Sequence, residues 1–295
     1  MTTLTIFAPA GVELRTQAVQ LAKKRLTAVG FNVAIDPSVR QRHQRFAGDD
    51  DARLATIERI AAGAPSVALA ARGGYGMTRL LDRLPWKRLA AGVERGTRWV
   101  GYSDLTALQL GLLAHTGAGT WAGPMATGDF GAEAIDEVTR DGFAEAMSGA
   151  LEAIGFRTDA GFDGLQARGT LWGGNLAVVV SLLGTPHFPK VRGGILFLED
   201  VNEHPYRMER HLLQLRQAGV LEAQKAVLLG GFTEWKPSPL DRGYTFKAAV
   251  AYLRSACKVP ILTGLPFGHV PTKVCLPVGR RVTLLVERRD ALVGW

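Results

Sequence analysis

The chain has 295 residues, 47% of them apolar and 21% charged, with a formal net charge of +8. That length gives room for roughly two domains with real hydrophobic cores, and no uncharged apolar run is long enough to span a bilayer. The basic residues are scattered, with "KKR" at 23–25 and "ERR" at 287–289 the densest clusters; without a patch on a known module they speak against a nucleic-acid partner and for a solvated surface that draws in carboxylate-rich substrates.

The opening "MTTLTIFAPAG" has no basic segment leading into an apolar one, so no signal peptide is expected. "TLTIFA" reads as a buried strand. A helix is expected over 13–29, with Ala18, Ala22, Leu26 and Val29 on one face and Gly30 as its stop. "FNVAID" is a second strand. "DDDARLATIERIAAG" carries acids at its head, as a helix N-terminus favours, and ends at Gly63. "SVALAA", "WVGY" and "GTWAGP" supply three more strands, and 131–148 a helix. Strands alternating with helices predict a mostly parallel sheet with helices on both faces.

A second domain is expected from about residue 151, giving 1–150 and 151–295. "GGILFLE" is a strand, and "PYRMERHLLQLRQAG" a helix with Pro205 at its start and Gly219 past its end. "QKAVLLGGF" is a strand. "YTFKAAVAYLRSA" is a helix with Phe246, Val250 and Leu253 on one face. "VPILTGLPFGH" and "RVTLLVE" complete a smaller, mixed α/β domain. The two cysteines, Cys257 and Cys275, make no disulfide framework and suit a reduced, cytoplasmic setting.

Several stretches could carry chemistry. In "WVGYSDLTALQL", Ser103 sits between a buried strand and a helix whose Leu105, Leu108, Leu112 and Leu113 form an apolar stripe. Strand–turn–helix is the setting of a nucleophile elbow. The pattern is not G-x-S-x-G, because Leu105 stands two places after the serine, and in this stretch alone helix capping explains the serine better. A serine hydroxyl needs a base beside it to attack. Among six histidines, His43 lies in a polar loop, and His115 ends a helix where a cation suits the dipole. His187 sits between prolines, His204 and His211 flank or ride a helix, and His269 closes a strand that ends in a Pro-Phe-Gly-His turn. Strand ends of α/β sheets face crevices where ligands bind. Of Glu199, Asp200 and Glu203, Glu199 follows four apolar strand residues and could orient an imidazole. Glu203 is better explained by the helix that follows.

"ARGGYG" places Gly73, Gly74 and Gly76 after a strand, where backbone N–H groups could receive an oxyanion. It is neither a P-loop nor a G-x-G-x-x-G fingerprint. Arg72 could pair with a substrate carboxylate. In "LWGGNLAVVV", Asn175 either caps a helix or meets a ligand. No zinc motif appears, so no metal or other cofactor is expected. Both cysteines lie in ordinary helix or strand surroundings, which speaks against a cysteine nucleophile.

Taken together, "ARGGYG", "GYSDLTAL", "GPM", "WGGNL", "LFLEDVNEHPYRMER" and "GLPFGH" resemble, in order and spacing, the LD-carboxypeptidases. This serine peptidase family includes muramoyltetrapeptide carboxypeptidase and the microcin-immunity peptidase. The resemblance runs from "IFAPAG" nearly to Gly279. It implies an amidotransferase-like first domain and a metal-independent triad of Ser103, Glu199 and His269, with the serine in the first domain and its partners in the second, meeting at an interdomain cleft. The oxyanion would face the N–H groups of Asp104 and Gly74, with Arg72, Tyr75 and Asn175 as substrate contacts. The implied substrate is a murein tetrapeptide that loses its terminal D-alanine, or a related D-amino-acid-containing peptide, cut by a cytoplasmic homodimer with no membrane partner. A microcin-type peptide-conjugate peptidase, another amidotransferase-like hydrolase or esterase, and a binding protein that has lost the reaction are the alternatives.

Overall fold

The computed structural model describes residues 2–295. In chain order the strands and helices are β1 (Thr3–Phe7), α1 (Thr16–Ala28), β2 (Asn32–Ile35), α2 (Asp50–Gly63), β3 (Val67–Ala70), α3 (Trp86–Glu94), β4 (Arg98–Gly101), α4 (Thr106–Thr116), β5 (Thr120–Ala122) and α5 (Glu137–Ser148). There follow β6 (Ala153–Arg157), β7 (Gln166–Asn175), α6 (Leu176–Ser181), β8 (Ile195–Val201), α7 (Pro205–Gln217), β9 (Ala226–Thr233), α8 (Phe246–Ala256), β10 (Ile261–Thr263), β11 (Leu276–Val278), β12 (Arg281–Glu287) and β13 (Asp290–Gly294).

The chain divides into two compact units. The first runs through Leu151 and also takes Gly184–Pro189 and Pro271–Val278; the second holds Glu152–Leu183, Lys190–Val270 and Gly279–Trp295. Two short segments of the second half therefore belong to the first unit. The first sheet has the order β11-β5-β4-β3-β1-β2, with β1 to β5 parallel and β11 antiparallel to β5. Its strands are short runs of small and branched apolar residues, as burial on both faces requires. Leu4, Ile6, Leu69 and Val100 are fully buried and join a core with Phe130 and Phe143.

The caps explain most helix boundaries. Asp49 accepts the Ala52 N–H at 2.8 Å and starts α2, with Asp50 and Asp51 in the first turn favouring the dipole. That helix runs through Gly63 and stops at Ala64, which itself takes the left-handed conformation. The helix expected from residue 131 begins at Glu137, because Asp136 caps it through the Thr139 N–H. The preceding Ala126–Phe130 forms a single π turn. The α4 stripe is wider than expected: Thr106 to Leu112 are all buried, whereas Leu113 is half-buried. His115 also departs from its expected role. Its Nε2 lies 2.9 Å from His187 Nδ1, and its ring stacks on Trp86. Burial and the neighbouring His187 hold its pKa below the usual histidine value, so its environment disfavours a dipole-compensating cation.

In the first unit, Lys273 and Asp129 form an ion pair at 2.7 Å, with both side chains buried. Asp129 also accepts the Met125 N–H at 2.7 Å, and the Lys273 ammonium lies 5.4 Å from the Tyr102 ring centre. Such a pair is costly to break one partner at a time.

The second sheet is mixed, in the order β10-β9-β8-β7-β12-β13-β6. β10 to β7 are parallel, and β7, β12, β13 and β6 are antiparallel neighbours. Trp172, Phe197 and Phe267 are fully buried beneath it, the last two edge to face at 5.3 Å. Among the described residues, no helix is long and apolar enough to cross a membrane.

Candidate active site

The first unit sets Ser103 in a strand–turn–helix. β4 delivers the chain into Tyr102, and Ser103 turns it through φ +60° into a short helical turn and then α4. A non-glycine residue in this left-handed region costs on the order of 1–3 kcal/mol, and such strain gathers at functional sites. The turn lifts the Ser103 side chain off the strand end, a geometry that plain helix capping does not need, and Ser103 makes no side-chain cap.

The glycine loop after β3 lies directly against this elbow. A Cβ built on Gly73 would stand 2.8 Å from both Cβ and Oγ of Ser103 and 3.5 Å from the Asp104 nitrogen. Only a glycine leaves that space open. Gly73→Ala is therefore expected to lower turnover by about 10²-fold or more, with a smaller effect on stability; steady-state kinetics beside an unfolding curve checks this. The Asp104 side chain fastens the two loops together, its Oδ2 accepting the Met77 N–H at 2.7 Å. Burial pushes the Asp104 carboxyl up to about 6, against the opposing pull of the Met77 and Gly76 N–H groups and of Arg53. A raised carboxyl takes up a proton on folding below that value, so its contribution favours folding at low pH and is lost as pH rises from about 4 through 6. Asp104→Asn keeps an acceptor for Met77, and it should gain stability relative to the parent between pH 4 and pH 7, by about 2 kcal/mol. Urea unfolding at the two pH values measures that difference.

The second unit builds an acid–imidazole couple. Glu199 lies within β8, two residues before its end, where the pairing with β9 slips by one residue opposite Gly230 and Gly231. The Gly231 N–H donates to the Phe267 carbonyl at 2.8 Å, and this anchors the loop that carries His269, six residues past the end of β10. His269 Nδ1 then sits 2.8 Å from Glu199 Oε2, with the Glu199 side chain fully buried and that of His269 21% exposed. Gly268 takes φ +119°, and a Cβ there would collide with Glu199 Cβ at 2.8 Å and Oε2 at 2.9 Å. An ionised Glu199 accepts from Nδ1–H, which fixes the tautomer that leaves Nε2 as a base.

Asn175 closes this network. Its Oδ1 accepts the Val178 N–H at 3.1 Å and caps α6, and its Nδ2 donates to Glu199 Oε1 at 3.2 Å and Asp200 Oδ1 at 2.9 Å. Capping and the site are thus one role. Asp200 also accepts N–H groups of Ala177 and Val201, and burial pushes its carboxyl up to about 6.

Comparison with known proteins decides the family. The family model for the LD-carboxypeptidase N-terminal domain matches residues 4–123, and that for the C-terminal domain matches 168–284. A crystal structure of muramoyltetrapeptide carboxypeptidase from Oxalobacter formigenes superposes with a TM-score of 0.91 at 39% identity, covering 99% of this chain and 98% of that one. A putative carboxypeptidase of Streptomyces coelicolor is 33% identical over 94% of this chain and 88% of its own. The murein tetrapeptide carboxypeptidase of Pseudomonas aeruginosa is 29% identical over 95% of this chain and 92% of its own. The chain belongs to the LD-carboxypeptidase family.

This LD-carboxypeptidase is accordingly a hydrolase of a serine peptidase family. Its thiols offer no competing nucleophile: burial pushes both Cys257 and Cys275 above the usual thiol range, with Cys275 further raised by Asp129. Arg72 is half-buried and donates to the Val12 carbonyl at 2.9 Å. Tyr75 is exposed and leans on Phe46, with the Arg45 guanidinium 5.7 Å from its ring centre. The sequence alone assigned no role to Asp200 and did not show the packing role of Gly73 or the Gly230–Gly231 slip; a glycine pair inside the apolar strand "AVLLGGF" was the available signal for the last. A cavity of about 800 Å³ on the outer side of β6, β13 and β12, lined by Phe156, Leu285 and Leu292, contains none of these residues.

Proposed function

We propose that this LD-carboxypeptidase removes the terminal D-alanine from murein tetrapeptides, using Ser103, His269 and Glu199 as its triad. His269 Nε2 takes the proton of the Ser103 hydroxyl as Oγ attacks the scissile carbonyl carbon. The N–H groups of Asp104 and Gly74 receive the oxygen that becomes negative. Glu199 stabilises the imidazolium, and His269 returns the proton to the departing D-alanine amine as the C–N bond breaks. Water, deprotonated by His269, then releases the peptide from Ser103. Arg72 and Tyr75 serve as substrate contacts, and Asn175 acts on the reaction through Glu199. The observation that carries this reading is the 2.8 Å bond from His269 to a carboxylate with no solvent exposure, in a chain whose strained turn holds a serine.

The murein substrate is supported by the names of the relatives from Oxalobacter formigenes and Pseudomonas aeruginosa. The two free thiols fit work in a reducing cytoplasm, and the family resemblance implies a homodimer. The test is mass spectrometry of products from a synthetic murein tetrapeptide ending in D-alanine and from its L-alanine epimer. Release of one D-alanine, with the epimer left intact, is the expected result; equal cleavage of both, or of neither, overturns the reading.

A further inference from the structure

The segment between β2 and α2 is built as a platform beside the elbow. The Val12 N–H donates to the Arg45 carbonyl at 2.9 Å and the Ala47 N–H to the Ala10 carbonyl at 3.0 Å, which ties the segment to the loop after β1. The Gly11 N–H in turn donates to the Gly73 carbonyl at 3.2 Å, and Gly73 is the residue packed on Ser103. At its start, Asp36 is clamped by Arg59 through two bonds of 2.9 and 2.8 Å. The segment is therefore rigidly joined to the nucleophile's surroundings. It carries Arg40, Arg42 and Arg45, all exposed, and none of their guanidinium groups has a carboxylate partner among the described residues.

A cavity of about 270 Å³ opens under this platform, lined by Arg40, Arg42, Thr16 and Gln20 on its polar side and by Val19, Ile35 and Val39 on its apolar side. Glu13 also borders it. Its carboxylate is already engaged by the Arg15 N–H at 2.7 Å and the Thr127 hydroxyl, and the Arg15 guanidinium lies 3.6 Å away. The unpaired charge facing the cavity is thus positive. Its volume suits one side chain rather than a whole ligand, and an aliphatic wall with two guanidinium groups at the rim matches a short acidic side chain. The cavity lies at the C-terminal ends of β1 and β2, the same edge of the sheet as Ser103 at the end of β4. Two to three strand spacings separate the strands, roughly 10–15 Å, which about two extended peptide residues and the reach of an arginine side chain cover together.

We propose that Arg40 and Arg42 form a subsite for a carboxylate carried by the substrate about two residues before the scissile bond. The proposal rests on the function given above and adds a selection rule: the preferred peptide is acidic at that position, and its amide is a poor ligand. Such recognition raises affinity without touching the bond-breaking step, so it belongs to binding and not to turnover.

The experiment uses calorimetric titration of the wild-type chain with a murein tripeptide, the product of the proposed reaction, whose glutamyl carboxylate is either free or amidated. The free acid is expected to bind about 10–100-fold more tightly at low salt. Arg40→Gln with Arg42→Gln should abolish that ratio, and Arg42→Lys should keep part of it. With the matching tetrapeptides, the double variant should raise KM for the acid alone and leave kcat within about two-fold. Equal affinity for acid and amide in the wild type, or an unchanged ratio in the double variant, overturns the subsite even if both tetrapeptides are cleaved. An arginine-dependent preference for the acid without any cleavage leaves the subsite standing and removes the proposed function instead.

Discussion

Ser103→Ala is expected to lower turnover by about 10⁴–10⁶-fold, the loss seen when a serine hydrolase loses its nucleophile. The residue is only half-buried and makes no cap, so the fold has little reason to fail. Its backbone makes the prediction sharper. At φ +60° any side chain with a Cβ is held at a cost, and glycine removes that cost. Ser103→Gly should therefore be as inactive as Ser103→Ala yet more stable than it, by about 1 kcal/mol. Chemical denaturation of the two variants, with turnover measured on the same preparations, separates the two effects. Activity within about ten-fold of the parent in either variant would remove Ser103 from the mechanism.

His269→Ala should cost a similar 10⁴–10⁶-fold, and adding it to Ser103→Ala should cost little more, because in the proposed mechanism the two groups act as a unit. Glu199→Gln is the more informative change. It preserves volume at a fully buried position and retains an oxygen that can accept from Asn175 or from His269. What it loses is the negative charge that stabilises the imidazolium and fixes its tautomer. A loss of about 10³–10⁴-fold in kcat with a much smaller change in KM is expected. Stability should shift as well, since an amide in place of the carboxylate leaves a donor facing the Asn175 amide. Single-turnover kinetics measures the chemical step directly. A Glu199→Gln enzyme with near-normal turnover would reduce the 2.8 Å bond to a packing contact.

Much of the fold could be read from apolar runs and breakers. β1, β3, β4, β8 and β9 are each built around an apolar run, and α2, α7 and α8 carry their caps or their apolar face in plain view. What escaped was of a different kind. β7, "QARGTLWGGN", holds three glycines, which read as turn residues because the neighbours that pair with them are remote in sequence. β6 and β13 are short and only half apolar, and the antiparallel pairing between them defines both. β11 contains Pro277 and exists because its partner β5 lies some 150 residues earlier by roughly counting along the chain. The site motifs were legible as residue types at strand ends, whereas the contacts were not. Nothing in "LFLED" announces that Asn175 bridges both acids, and nothing in "ARGGYG" announces that Gly73 is the residue against the serine hydroxyl.

The return of Pro271–Val278 to the first unit limits how this protein can be divided. A gene fragment ending at Leu151 would lack Lys273 and so strand the Asp129 carboxylate without its counter-charge, a defect worth about 3–5 kcal/mol. It would also convert β5 from an inner strand to a naked border open to adventitious pairing. Chimaeras made by exchanging halves at a single junction inherit both faults. A productive recombination must transplant the late octet along with the leading half, because the first unit is a discontinuous but indivisible block of chain.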